Sequence, residues 1–258
     1  MKAKRHIRRI FFLACWLAAG VGIMVLLVAA IRVQKDKVCK GYEIVITGSG
    51  EKKFIDEQYI IKLLTAAGTV KGKSIKSFDL RSIETQLEKT PWVRNAELYF
   101  DNNQVLKVSI EEKEPVARIF TVTGDSYYIS RNGEYLPLSD RFSGRLPVFT
   151  GFPVVRSKMS RADSLLMLDI EHISDYLSNE PLWMAQIAQV HITRDRHFEM
   201  VPMLGNHIIE FGDGTDCEDK FRRLRLFYQQ VLAKRGLDVY ERIRLQFKGQ
   251  VVGVRKGG

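Results

Sequence analysis

The chain has 258 residues, of which 45% are hydrophobic and 27% are charged, and it carries a formal net charge of +10. This composition is typical of a folded protein, and the length allows an anchor plus one or two small domains. Because no basic module interleaved with aromatic residues is present, we attribute the positive charge to a membrane boundary and a solvated helix face, and we expect no nucleic-acid partner.

The three cysteines exclude a disulfide framework. Cys15 lies inside an apolar run, and neither Cys39 nor Cys217 has a CxxC partner or the spacing of a metal ligand. A bridge between Cys39 and Cys217 stays open.

The first element is an unbroken apolar run over residues 10–31. Its length of about 22 residues is what a helix needs to cross roughly 30 Å of hydrocarbon. A cleavable signal peptide is the alternative, but its apolar core is only about 7–15 residues long and a good cleavage site is missing here. We predict a single transmembrane helix at 10–31, a cytoplasmic tail at 1–9 and a linker at 32–41.

Basic residues flank this run on both sides, so the positive-inside rule gives only a slight bias. The short tail at 1–9 cannot fold by itself, whereas the long C-terminal part can be translocated whatever its charge. We therefore predict a cytoplasmic N-terminus and extracytoplasmic C-terminal domains. The absence of ATP and NAD(P)H outside the cytoplasm argues against most cofactor chemistry, and we expect no cofactor.

Residues 42–112 follow a β-α-α-β-β pattern. After an apolar strand, one helix is predicted from Asp56 and a second from the N-cap Asp79 to Pro91. Two further strands flank the turn residues 101–104. Two helices on one face of a small three-stranded sheet bury a core and leave strand edges free, and a free edge is a place where another chain can add a strand.

A charged break before Pro115 marks the expected domain boundary, because proline is disfavoured in a central strand. Residues 113–258 are then predicted to form a mixed β domain with flanking helices. Asn132-Gly133 is a tight-turn signal between short strands. Ser160 with Asp163 resembles a capping box at the start of a helix.

The last predicted helix begins near Asp216 and ends at Gly236. Its periodicity places an apolar side inward and most of its basic side chains outward. The inward residues are Phe221, Leu224, Phe227, Val231 and Leu232, and the outward residues are Lys220, Arg222, Arg223 and Arg225.

The C-terminal segment has an alternating pattern over 243–247, an interruption at Lys248-Gly249 and a resumed pattern over 250–254. We interpret it as one interrupted terminal strand, either inside the sheet or at its edge. The edge is favoured because terminal strands often lie there and because lysine and glycine guard or weaken an edge. A partner strand would gain main-chain hydrogen bonds there, so deletion of 247–254 is expected to abolish partner capture.

No pattern in the sequence indicates a catalytic, metal or cofactor residue. The histidines lack the spacing of a helical zinc pair, although His191 and His197 are candidates to face each other across a hairpin. The glycine turns at 48–50 and 212–215 match neither a Walker loop nor a dinucleotide fingerprint. The tightest acidic cluster is interpreted as a set of helix N-terminal caps; its members are Asp213, Asp216, Glu218 and Asp219.

At this point the order of short motifs resembles the bacterial cell-division family FtsQ, called DivIB in Gram-positive bacteria, over nearly the whole chain. Each match is short, but their order and spacing make the set specific. The matching segments are 46–48, 91–93 with Ala96, 106–112, 114–117, 128–130 with 132–133, 146–148 with 150–151, 220–228 and 243–252.

The resemblance implies a POTRA domain at 42–112 and an FtsQ-type β domain at 113–258. It further implies a non-enzymatic divisome component at the septum of the inner membrane, which docks FtsB/DivIC-like and FtsL-like single-span partners and regulates septal peptidoglycan synthesis. Other divisome members are implied to bind the POTRA domain. By position, the residues implied at the partner contact are Gln246, Phe247, Lys248, Gly249, Gln250, Val251, Val252 and Val254.

The closing segment departs from the usual pattern of that family. Arg244 and Gln246 stand where an aspartate and an arginine are usual, Phe247 replaces a frequent tyrosine, and no tryptophan follows. The electrostatics of the contact therefore stay open.

Two other functions stay open as alternatives. A POTRA-bearing transport or outer-membrane assembly factor usually carries several POTRA units and a β-barrel, whereas this chain has one such unit. A cell-wall hydrolase would need Asp213, Asp216 and a histidine to meet in a cleft.

Overall fold

The structure is a computed structural model that describes residues 15–29, 37–48, 54–68, 71–139, 145–153 and 160–257. Residues 15–29 are helical and form α1. Across these described ranges, none of the helices combines the length and the apolarity that crossing a bilayer requires. The ends of the predicted span, 10–14 and 30–31, lie outside the described residues, and the transmembrane helix stays a prediction.

The described chain divides into two compact units. The first contains Met1–Thr47 and Ile55–Glu111, and the second contains Gly48–Phe54 and Glu112–Gly258, in each case as far as their residues are described.

The first unit has the β-α-α-β-β order that the sequence predicts. Its sheet has the order β1-β3-β2, with β1 parallel to β3. The elements are β1 (Gly41–Thr47), α2 (Glu57–Ala66), a 3₁₀ turn (Ile75–Ser77), α3 (Leu80–Glu88), β2 (Val93–Phe100) and β3 (Val105–Glu112).

Side-chain caps start both helices of this unit. The backbone N–H of Tyr59 donates to the carboxylate of Asp56 at 2.7 Å, and that of Ser82 donates to Asp79 at 3.1 Å. An aspartate at this position satisfies an N–H group that has no partner inside the helix. The N-cap predicted at Asp79 is confirmed.

The second unit is built on a nine-stranded mixed sheet. Its order is β12-β11-β10-β9-β8-β7-β4-β5-β6. The strands are β4 (Pro115–Thr121), β5 (Ser126–Ser130), β6 (Tyr135–Leu136), β7 (Val148–Phe152), β8 (Ile187–Ile192), β9 (Phe198–Pro202), β10 (Ile208–Gly212), β11 (Tyr240–Arg244) and β12 (Val252–Arg255).

Helices from this unit contribute to the core that the sheet buries. The core contains Phe149, Phe198 and Phe211 from the strands together with Ile170 and Phe221 from the helices, all of them fully buried. The helices are α4 (Arg161–Asn179), α5 (Pro181–Gln186), α6 (Cys217–Phe227), a π-helical continuation (Tyr228–Leu232) and α7 (Ala233–Arg235).

The capping box predicted at the start of α4 is confirmed, and it reaches beyond its own helix. Asp163 accepts hydrogen bonds from the backbone N–H and the hydroxyl of Ser160, and its other oxygen accepts one from Arg196 at 2.7 Å. The Ser160 hydrogen bond and the Arg196 charge hold the pKa of the buried Asp163 carboxyl below its usual value. This carboxylate therefore ties the β8–β9 turn to the helix.

The predicted orientation of α6 is wrong for two of its basic residues. Lys220 and Arg223 are buried, although the sequence pattern assigned them to the outer side. Lys220 Nζ donates to the backbone carbonyl and the carboxylate of Asp213, at 2.9 and 2.7 Å, and Arg223 also finds partners inside the unit. Burial of a cation is tolerated when it is paired and hydrogen-bonded, and hydrophobic periodicity does not detect such partners.

Candidate functional site

The last strand of the chain lies at one edge of the nine-stranded sheet. β12 pairs antiparallel with β11, and Gly253 lies opposite Ile243 while Val252 lies opposite Arg244. Over the described ranges, the order of the sheet ends at β12, so its second side faces no other strand. The outward N–H and C=O groups of such a strand are the groups that pair when a peptide adds to a sheet.

The residues before β12 turn the chain and do not continue one strand. β11 ends at Arg244, and residues 245–251 lead back into β12. The N–H of Gln250 donates to the carbonyl of Phe247 at 3.2 Å, and Gly249 has a φ of 70°, which glycine adopts without steric cost. The single interrupted strand predicted over 243–254 is therefore wrong, because Lys248-Gly249 forms the turn of a hairpin.

Arg223 of α6 holds this turn from the inside. Its Nη1 donates to the carbonyl of Phe247 at 3.0 Å and to that of Gln250, and its Nη2 donates to the carbonyl of Leu245 at 3.3 Å. Its Nε donates to the carboxylate of Asp219, one helical turn away, at 2.7 Å. One guanidinium thus binds three backbone carbonyls of the connection between β11 and β12.

The inner side of β12 is fitted to an aromatic ring. A Cβ atom added at Gly253 would lie 2.6 Å from ring atoms of Tyr240 and 3.2 Å from the ring of Phe227. The rings of Phe227 and Tyr240 pack edge-on with centroids 5.4 Å apart. Glycine at 253 therefore lets β12 lie directly against the aromatic pair that links the hairpin to α6.

The charges of β11 are balanced within the sheet. Arg242 forms ion pairs with Glu199 at 2.9 Å and Glu210 at 2.8 Å, and Arg244 pairs with Glu210 at 2.8 Å. By contrast, Lys248 and Arg255 are exposed and take part in no ion pair in the described part of the chain. The hairpin consequently presents an excess of positive charge to solvent.

Comparison with known proteins matches each of the two units to a family model. A family model described as "FtsQ/DivIB, C-terminal related" matches residues 114–254, and a model of a POTRA-like domain matches residues 37–111. The chain belongs to the FtsQ/DivIB family. The predicted order of a POTRA domain followed by a mixed β domain is confirmed, and the match to the FtsQ-type β domain includes the whole hairpin except its last residue.

Curated relatives from three bacteria carry the name "Cell division protein FtsQ". The relative from Geotalea daltonii is 26% identical over 230 residues, covering 83% of this chain and 80% of its own length. The relative from Salinibacter ruber is 25% identical over 193 residues, covering 70% and 72%. The relative from a Geobacter species is 24% identical over 177 residues, covering 66% and 62%. These FtsQ relatives support a role in cell division.

The eight residues that the FtsQ resemblance implies at a partner contact divide between the turn and the strand. The turn residues are exposed, Val251 is half-buried, and Val252 and Val254 belong to β12. The exposed turn residues are Gln246, Phe247, Lys248, Gly249 and Gln250. Arg223 was not among the predicted site residues, although the spacing of four residues from Asp219 indicates an ion pair on one helix face.

The acidic cluster of this FtsQ-type domain lies at and just before the start of α6. Burial raises the pKa of Asp213, but hydrogen bonds from Lys220 and Thr215 outweigh that effect and the pKa lies below its usual value. Asp216 occupies the N-cap position of α6 with a φ of 48°, yet its side chain makes no capping bond, so the cap predicted there is wrong. No group of three potential metal ligands occurs in the ranges that the structure describes.

The histidine pair considered from sequence does not form. His191 lies opposite Glu199 in the β8–β9 ladder, whereas His197 lies beyond the strand in the turn. All three cysteines are free thiols, and Cys39 is buried. Burial raises the pKa of the Cys217 thiol to about 12, so this side chain is neutral at physiological pH.

Proposed function

We propose that this chain is a non-enzymatic divisome component that captures a single-span partner by strand addition at β12. The observation that carries the proposal is the position of β12 at the end of the sheet order, with Val252–Arg255 paired on one side only among the described residues. A strand added there would gain main-chain hydrogen bonds, and the exposed turn side chains would contribute specificity.

The family suggests the partners. FtsB/DivIC-like and FtsL-like proteins are the proposed occupants of the β12 edge, and their binding would couple this chain to septal peptidoglycan synthesis. The exposed cations Lys248 and Arg255 favour a partner segment that carries acidic side chains. Other divisome members are proposed to bind the POTRA-like domain, whose sheet ends in the strands β1 and β2.

The proposed location is the inner membrane at the division septum. The predicted helix at 10–31 would anchor the chain with its N-terminus in the cytoplasm and residues 42–258 outside it. The family membership and the relatives named as cell-division proteins support this arrangement.

A binding assay with the full-length chain tests the proposal. The chain is co-expressed with the FtsB/DivIC-like and FtsL-like proteins of its own organism and captured by an affinity tag. We expect co-purification, and we expect Val252→Asp together with Val254→Asp to abolish it because aspartate disfavours a paired strand. Val122→Asp is the matched control, since Val122 is an exposed valine beyond β4, and five strands separate β4 from β12.

Two results would contradict the proposal. One is unchanged capture by the double Val252/Val254 variant when that variant remains folded. The other comes from depletion in cells: long, undivided cells are expected, whereas normal division with defective outer-membrane protein insertion would favour the POTRA-bearing assembly factor.

A further inference from the structure

Three backbone carbonyls in the connection between β11 and β12 already accept hydrogen bonds from a buried side chain. Leu245, Phe247 and Gln250 each offer a carbonyl to the guanidinium of Arg223. A partner strand that pairs with these three carbonyls would compete with an arginine that is itself only 9% exposed. Displacement would leave a buried cation with a single acidic partner, Asp219, which is unfavourable.

We infer that Arg223 is the positioning residue of the partner-binding edge, and that main-chain pairing with a partner is confined to Val252–Arg255. This inference rests on the function proposed above. The turn then contributes through side chains alone, of which Phe247 is the large apolar one, 44% exposed.

The geometry requires arginine at this position. The guanidinium carries five N–H donors in a rigid planar fork, and here they reach one carboxylate and three carbonyls. A lysine ammonium has three donors on a single nitrogen, so Arg223→Lys keeps the charge but cannot hold both ends of the turn. The conservative variant is therefore as informative as Arg223→Gln.

The turn at 246–250 differs from β12, which pairs with β11 and packs against Tyr240 and Phe227. The turn side chains are exposed and Gly249 places few steric limits on the backbone, so we expect the shape of the turn to depend on the hydrogen bonds from Arg223, which clamp it. If loss of the clamp lowers the fraction of hairpins in the binding shape to about one-tenth, the apparent Kd of the partner rises about tenfold.

Arg222 supplies a matched control on the same helix. Its side chain is 69% exposed and its hydrogen bond goes to the same Asp219 carboxylate, which Arg223 also contacts. Arg222→Gln thus removes one positive charge next to Arg223 on α6. The hydrogen bonds from Arg223 to the hairpin carbonyls stay in place.

The experiment uses the full-length chain and two measurements. Hydrogen exchange of the amides of 245–255 reports on the hairpin without any partner. Titration with a synthetic peptide from the extracytoplasmic part of the FtsB/DivIC-like protein reports on binding. For Arg223→Lys and Arg223→Gln we expect faster exchange confined to 245–255 and a Kd raised about tenfold. For Arg222→Gln we expect the exchange rates and the Kd to stay at those of the unmodified chain.

Three outcomes would overturn the inference. Unchanged exchange at 245–255 means that Arg223 does not fix the turn. Faster exchange across the whole β domain means that Arg223 supports the fold in general. Faster local exchange with an unchanged Kd means that the partner does not depend on the clamped hairpin. If the unmodified chain does not bind the peptide, the proposed function fails by itself, and faster local exchange would still support the clamp.

Discussion

A proline scan across β12 tests strand addition most directly. In a paired strand, the N–H groups of successive residues point alternately to the two sides. About two of the four residues in Val252–Arg255 therefore direct their N–H toward β11, and the other two direct it outward to the proposed partner. Proline removes the N–H at one position and places a ring there.

The structure sets the size of the expected effect. Two outward residues offer about four main-chain hydrogen bonds, and at a net value of roughly 0.5–1.5 kcal/mol each they contribute about 2–6 kcal/mol to binding. Loss of one bond leaves a partner carbonyl unsatisfied, which costs about 1–3 kcal/mol, or roughly 5- to 150-fold in Kd.

The assay uses isothermal titration to measure the Kd of the FtsB/DivIC-like peptide for four variants of the full-length chain. The variants are Val252→Pro, Gly253→Pro, Val254→Pro and Arg255→Pro. We expect two alternate positions to weaken binding while hydrogen exchange of β11 stays slow. The other two are expected to release the hairpin, so that exchange of β11 becomes fast. If all four variants bind within twofold of the unmodified chain, pairing at this edge is refuted.

Three further predictions concern the stability of the β domain. Gly253→Ala should lower the free energy of unfolding by about 1–3 kcal/mol in urea titrations, because the added Cβ overlaps an aromatic ring; an unchanged midpoint would contradict the packing described. Asp163→Asn should reduce the fall in melting temperature on acidification. Because the pKa of Asp163 is depressed in the folded state, the stability that its carboxylate contributes is present above the ordinary carboxyl pKa and is lost as pH falls through the lower native pKa. Burial lowers the pKa of His207, so melting temperature should fall as pH drops below the ordinary imidazole value, and His207→Gln should reduce the difference measured between pH 7.5 and 5.5.

Local signals in the sequence predicted the ends of elements well. The N-cap at Asp79 and the capping box of Ser160 and Asp163 depend on residues three positions apart, and both form as expected. Gly236 likewise follows the last helical residue, with a φ of 95°. These features are decided by short-range hydrogen bonds and backbone sterics, which a single sequence displays directly.

Features that depend on distant residues are not displayed by the local sequence pattern. The alternating pattern on both sides of Lys248 fits one strand as well as two, and the reversal at Gly249 is decided in part by Arg223, more than twenty residues earlier. The burial of Lys220 likewise depends on Asp213, a residue outside the helix that periodicity considers. The sequence therefore identifies the C-terminal segment as strand-forming, but it predicts neither the hairpin nor its support by Arg223.

The parallel pairing of β10 with β11 determines how the terminal hairpin is connected to the sheet. Parallel neighbours need a crossover, and here α6 and its continuation form that crossover before the chain returns as the hairpin. The strand proposed to bind a partner is therefore attached to the sheet through β11, which the chain reaches only after the crossover. We expect substitutions that loosen α6 to disturb the β12 edge as well, because α6 and its continuation connect β10 to the hairpin.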